Sequence, residues 1–251
     1  MSEPAFHSQS VSVRVRGLRK SYQGQEVLKG LDFDVARGEI FVLMGPSGSG
    51  KSVLLKHIIG LEVPDAGEIF IEDDAVHGDI AINKYRLAMV FQSGALFSSL
   101  TVKANVGLYL AEHRLKTPEE IEKTVNEKLA LLGLQNDGHK MPSELSGGMK
   151  KRVAIARALV IDPQLILYDE PTSELDPLIA VTIGQEIIAL RDRNHTTSIV
   201  VTHDRDLAFG IADRMAVMHE GRILCIGTPD EVRRHPDSLI QKFLTADFKA
   251  A

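Results

Sequence analysis

The chain has 251 residues, 44% of them hydrophobic, with 29 basic and 34 acidic side chains for a net charge of −5. This fits one large domain, or a domain with a subdomain. It disfavours duplex DNA as main partner, because neutralising phosphates takes a concentrated basic face. Cys225 is the only cysteine, so an intrachain disulfide is excluded and a reducing compartment fits. The first ten residues lack an apolar signal core, and the apolar runs 40–44 and 165–168 fall far short of the ~20 residues that span a bilayer. A soluble chain is expected, with any membrane role exerted through a partner.

Residues 11–16 alternate apolar and polar and predict a half-exposed strand, followed by a second over about 27–35. Gly38 punctuates before a continuous apolar strand at 40–44, of the kind covered on both faces. A glycine-rich loop and a helix from about 51 to 59 come next. Residues 100–160 turn helical. Thr117, Pro118 and Glu120 form a capping box, and Ser146 opens a helix with Val153, Ala156 and Val160 on one stripe. Strand and helix then alternate again: a strand at 165–168, a helix capped by Asp176 and Pro177, a strand at 198–201 and a helix near Asp204. A hairpin turns at Glu220 and Gly221, before a helical and irregular tail. The order predicts a parallel-sheet α/β core with a helical insertion near residues 100–160.

Three loops carry the chemistry. Gly45, Pro46, Ser47, Gly48, Ser49, Gly50, Lys51 and Ser52 match the P-loop pattern between a predicted strand and a predicted helix. Its glycines let backbone N–H groups turn toward an anion, and the helix N-terminus adds partial positive charge. Lys51 is placed to bridge the β- and γ-phosphates of ATP, and Ser52 to hold Mg²⁺. The strand at 165–168 ends in Asp169 and Glu170, at the sheet edge where open α/β folds bind ligands. Asp169 would assist the Mg²⁺ shell and Glu170 would polarise the attacking water. Ser146, Gly147 and Gly148 make a second anion-binding helix start. A cap accounts for Ser146 and one glycine, not for both. One ATP cannot easily occupy two such loops of one chain, so a second copy is expected to supply the missing half.

On these motifs the sequence resembles the nucleotide-binding subunit of an ABC transporter, over about residues 11–244. The resemblance implies a P-loop NTPase (RecA-like) α/β fold with a mostly parallel sheet, an N-terminal antiparallel β-subdomain and an inserted α-helical subdomain. The domain would run over 11–246, with a C-terminal helical tail at 229–251. The resemblance assigns the adenine-stacking aromatic to Tyr22 and the Mg²⁺-sensing Q-loop glutamine to Gln92. Residues 145–149 become the signature motif, which binds the γ-phosphate held by the opposite subunit. Glu170 becomes the catalytic carboxylate and His203 the switch histidine. Taken singly, Tyr22, Gln92 and His203 each have an ordinary structural explanation; their joint order favours function. Residues 173–176 match the D-loop, except that Glu174 stands where the family has a small residue.

The stretch after Gln92, with residues 144–159, is similar to the ATPases of Mla-type (Mkl/Ttg-like) phospholipid transporters. That resemblance implies a homodimer at the cytoplasmic face of the inner membrane, a permease and an MCE-type lipid-binding protein. The alternatives are an importer ATPase for amino acids or another small solute, a soluble ABC protein acting on nucleic acid or ribosomes, and a module that binds ATP without turnover. The pair Asp169 and Glu170 argues against the last.

Overall fold

The computed structural model describes residues 10–76, 84–173 and 175–245, so Glu174 lies outside the described residues. Strands β1 (Val13–Tyr22), β2 (Gln25–Val35), β4 (Ala66–Ile71) and β5 (Asp74–Ala75) form an antiparallel sheet in the order β2-β1-β4-β5. Its alternation is physical: Val13, Val15, Leu28, Leu31 and Phe33 are buried, while Arg14, Arg16 and Asp34 form ion pairs or hydrogen bonds on the outside. β1 runs beyond the predicted residues 11–16, through a bulge at Gly17 whose N–H donates to Asp32.

The second sheet holds β3 (Ile40–Met44), β6 (Leu87–Val90), β7 (Leu165–Asp169), β8 (Thr197–Thr202), β9 (Arg214–His219) and β10 (Arg222–Gly227). Its order is β10-β9-β3-β8-β7-β6, parallel throughout except for the β9–β10 hairpin. Strand β3 shows why the central strands read as unbroken apolar runs. Ile40, Val42 and Met44 face one core, and Phe41 and Leu43 face the other. The second core joins the two sheets and takes in Leu54, Leu55 and Ile58 of helix α1 (Lys51–Ile58).

The chain between β6 and β7 supplies helices α2 (Val102–Glu112), α3 (Pro118–Leu131) and α4 (Gly147–Leu159), with a 3₁₀ turn at Pro142–Glu144. The capping box at Thr117 and Glu120 forms as read from the sequence, with Glu120 N–H donating to Thr117 Oγ1 at 3.3 Å and Thr117 N–H to Glu120 Oε2 at 2.8 Å. Asp176 and Asp204 cap α5 (Pro177–Asn194) and α6 (Arg205–Ile211). Helices α7 (Pro229–Arg233) and α8 (Ser238–Thr245) close the described chain. No described helix is long and apolar enough to cross a membrane.

Register sets the site. Met44 pairs with Thr202, and Asp169 pairs with Val201, so β3, β7 and β8 end side by side. The loops after them therefore converge at one carboxyl edge, where an open α/β sheet binds ligand.

Candidate functional site: a phosphate-binding cleft

Each P-loop glycine has a separate cause. A Cβ on Gly45 would stand 2.2 Å from the Met218 carbonyl oxygen, which only a missing side chain permits. Gly50 combines φ +101° with close approach to Leu28 and Met218, and Gly48 takes φ +79° in open space. The loop is also tied down from outside. Gly221 N–H donates to Ser49 O at 3.1 Å, and Gly221 O accepts from Lys29 N–H at 2.9 Å, so the β9–β10 turn braces the loop against β2. α1 then starts at Lys51 with no side-chain cap, leaving its first N–H groups to an anion.

Lys51 is buried, and its ammonium donates to Gly45 O at 2.8 Å and Pro46 O at 3.1 Å. It also lies 3.6 Å from Glu170 Oε1. Ser52 Oγ donates to Asp169 Oδ1 at 2.8 Å, so the two residues read as Mg²⁺ holders stand together. Glu170 Oε2 accepts from Thr202 Oγ1 and His203 N–H, both at 3.2 Å, and meets His203 Nδ1 at 2.9 Å. Its backbone is left-handed, φ 48°, immediately before Pro171, where extended backbone is favoured. That turn swings the carboxylate off the strand axis toward Lys51 and His203.

Ser47, Gly48, Gly50, Lys51, Ser52, Gln92, Glu170 and His203 line one cleft of about 340 Å³, with Asp169 beneath it. Tyr22 and residues 146–148 do not line it. Tyr22 ends β1 and is partly exposed, its hydroxyl donating to Glu62. Ser146 caps α4, its Oγ accepting from Met149 N–H at 3.3 Å. The two glycines there differ. A Cβ on Gly148 would meet Ile179 Cδ1 at 3.0 Å, so packing against α5 accounts for it, whereas Gly147 faces open space. Gly147 is thus the glycine that packing among the described residues does not explain.

Several polar residues around the site escaped the sequence reading. Thr202 reaches Glu170 from the end of β8. Lys151 and Arg157 of α4 hold backbone carbonyls, Lys151 that of Glu170 and Arg157 those of Gly94 and Ala95 after Gln92. A lysine at 151, spaced three and four residues from buried Gly148 and Ile155, was the one available signal.

Burial lowers the Lys51 ammonium pKa, against the pull of Glu170 and Asp169. Burial raises that of Asp169; the Ser52 hydrogen bond opposes this and the neighbouring Glu170 charge adds to it. A carboxyl with a raised folded-state pKa stabilises the fold only below its unfolded value, and that contribution is lost as pH rises through the folded value. Asp169→Asn is therefore expected to melt at a higher temperature than the parent at about pH 7, with the gain vanishing near pH 4. Melting curves at the two pH values check this.

The residues present fit a nucleotide and its metal. Ser49 Oγ is buried with no hydrogen-bond partner among the described residues, beside loop glycines that leave room for an anion. No group of three or more His, Cys, Asp or Glu among the described residues would hold a metal. Ser52 and Asp169 are instead the small oxygen set that suits Mg²⁺ shared with substrate phosphates.

Fold and cleft together define a P-loop nucleotide-binding domain. A family model described as ABC transporter matches residues 28–173. The sulfate/thiosulfate import ATP-binding protein CysA of Synechocystis sp. is 41% identical over 229 residues, covering 91% of this chain and 64% of that protein. The probable ribonucleotide transport ATP-binding protein mkl of Mycobacterium leprae is 38% identical over 238 residues, covering 93% of this chain and 69% of that one. A solved dimeric structure of the ATP-binding cassette MJ0796, in a post-hydrolysis state bound to ADP and Pi, superposes with a TM-score of 0.81 at 32% identity. That match covers 86% of this chain and 98% of the other. The chain belongs to the ABC transporter family and carries the family's ATP-binding ATPase domain. It spans about two thirds of the length of these curated relatives.

Proposed function

We propose that this chain hydrolyses ATP as the paired nucleotide-binding subunit of a membrane ABC transporter. The observation that carries this is one cleft holding a braced P-loop, a buried lysine and a carboxylate aimed at both lysine and histidine. Lys51 and the N–H groups of α1 hold the β- and γ-phosphates. Ser52 and Asp169 would hold Mg²⁺, which would supply positive charge against the phosphate oxygens. Glu170 takes the proton of the attacking water as its oxygen bonds to the γ-phosphorus and the bond to the β-phosphate oxygen breaks. His203, more than half exposed, reaches the γ-phosphate from the opposite wall. Tyr22 stacks on the adenine, and residues 146–148 complete the site of a second copy.

The membrane partner docks after Gln92. There an apolar groove of about 370 Å³ includes Met89, Phe97, Leu108, Tyr109, Ala158 and Ile161, with Phe97 and Tyr109 exposed. Its shape and polarity suit a helix of a permease. The complex sits at the cytoplasmic face of the inner membrane, and the substrate we favour is phospholipid, delivered with an MCE-type protein. Support comes from the likeness of residues 92–102 and 144–159 to Mla-type ATPases. The 41% identity to a sulfate/thiosulfate import protein favours a second reading, a small-solute importer.

Reconstituting the chain with its permease partner separates the two. ATP turnover that rises with labelled phospholipid and an MCE protein supports lipid transport. Turnover that rises only with a periplasmic solute-binding protein and its solute refutes it.

A further inference from the structure

We infer that Lys151 is a positioning residue that links the signature turn of each chain to Glu170 of the same chain. The inference rests on the ATPase reading above and extends it to a residue with no assigned role. Lys151 lies one turn into α4 and is buried. Its ammonium donates to Glu170 O at 2.6 Å and to Ser173 Oγ at 2.9 Å. Ser173 returns to the same carbonyl, through Oγ at 3.1 Å and N–H at 3.2 Å. A buried lysine is costly unless it makes strong hydrogen bonds, and a charge-assisted bond to a carbonyl is such a bond.

What makes this more than helix anchoring is the residue gripped. Glu170 is left-handed, φ 48°, before a proline, a conformation that persists only when its surroundings hold it. Its carbonyl carbon and its Cβ are both bonded to the same Cα. Holding the carbonyl in this left-handed turn therefore holds the Cα–Cβ direction from which the carboxylate reaches Lys51 and His203. The start of α4 is also locked to α5, because Gly148 leaves just the space that Ile179 fills. A displacement of the signature turn at 146–148 thus reaches Glu170 through one rigid turn of helix and one ammonium. In a symmetric pair, where that turn faces the other copy's nucleotide, each site would sense occupancy of its neighbour through Lys151.

The test uses the full-length chain in its dimeric complex, with Lys151→Met and Lys151→Gln beside the parent. Turnover is measured against ATP concentration, ATP binding at equilibrium and unfolding by melting. For Lys151→Met, kcat is expected to fall about tenfold or more, with ATP Kd within about twofold of the parent and the Hill coefficient dropping to about one. Lys151→Gln keeps a donor without the charge and should fall between the two. It also serves alone if the methionine chain does not fold. A parental kcat in either folded variant overturns the inference. So does a lowered melting temperature with kcat per folded molecule unchanged, which is all that a packing role would give. A parent that itself turns over no ATP overturns the ATPase reading and this inference together; a parent that does, matched by both variants, overturns only the inference.

Discussion

Glu170→Gln should cut the single-turnover rate of ATP hydrolysis by about 10²–10⁴-fold, the usual worth of a positioned general base, while ATP still binds. Glutamine has nearly the same shape, so contacts to Thr202 Oγ1 and His203 N–H can be kept by its carbonyl oxygen. The variant loses the negative charge 3.6 Å from Lys51 and the capacity to take a proton. Losing that charge also leaves the Lys51 ammonium freer to pair with phosphate, so ATP affinity should hold or rise. Rapid-mix hydrolysis and equilibrium nucleotide binding on the same preparation separate the two effects. A parental single-turnover rate would remove Glu170 from the chemistry.

A second large effect is expected because the turn at 146–148, proposed to bind the partner's phosphate, lies apart from the Lys51 cleft. Ser146→Arg should abolish turnover while leaving ATP binding largely intact, because the Lys51 cleft does not contain Ser146. Lys51→Met should abolish turnover by losing the phosphate grip. Coexpressed, the two inactive chains should regain activity. In a symmetric pair, half of the dimers are mixed and each carries one site with a good P-loop facing a good signature turn. Recovery should reach about a quarter of the parental rate when sites work independently. Ser146→Ala is the control, since it removes the α4 cap, worth about 1 kcal/mol, without adding bulk or charge. No recovery in the mixture, or normal turnover by Ser146→Arg alone, would sink the shared site.

What could be read from the sequence was what local rules govern. The P-loop needs glycine at fixed spacing between strand and helix, and the Thr117 capping box is complete within four residues. The hairpin at Glu220 and Gly221 was legible for the same reason, and both residues take positive φ, 45° and 77°. β4 and β6 escaped because their pairing with β1 and β7 is long-range, and β5 because it is only two residues long. β4 begins at Ala66 and Gly67, and Gly67 sits where a Cβ would be 2.4 Å from Gly17 O, a constraint visible only once β1 lies beside it. The division of labour between Gly147 and Gly148 was hidden likewise, since it depends on Ile179, thirty-one residues beyond Gly148. The grip of Lys151 on a carbonyl leaves no side-chain pattern beyond one charge on an apolar stripe.

Helix α4 touches three stations along its length: the signature turn at its first residues, Glu170 through Lys151, and the loop after Gln92 through Arg157, whose guanidinium holds Ala95 O at 2.8 Å and Gly94 O at 2.9 Å. From Gly147 to Arg157 the helix rises about 15 Å. As a stiff lever pivoting at its signature end, it needs a tilt of only about 10° to carry the Arg157 end by roughly 2–3 Å, comparable to the helix shifts that switch subunit interfaces. A sub-ångström adjustment beside the start of α4 would thus arrive magnified at the groove lined by Phe97, Tyr109 and Arg157, without any element of the chain unfolding.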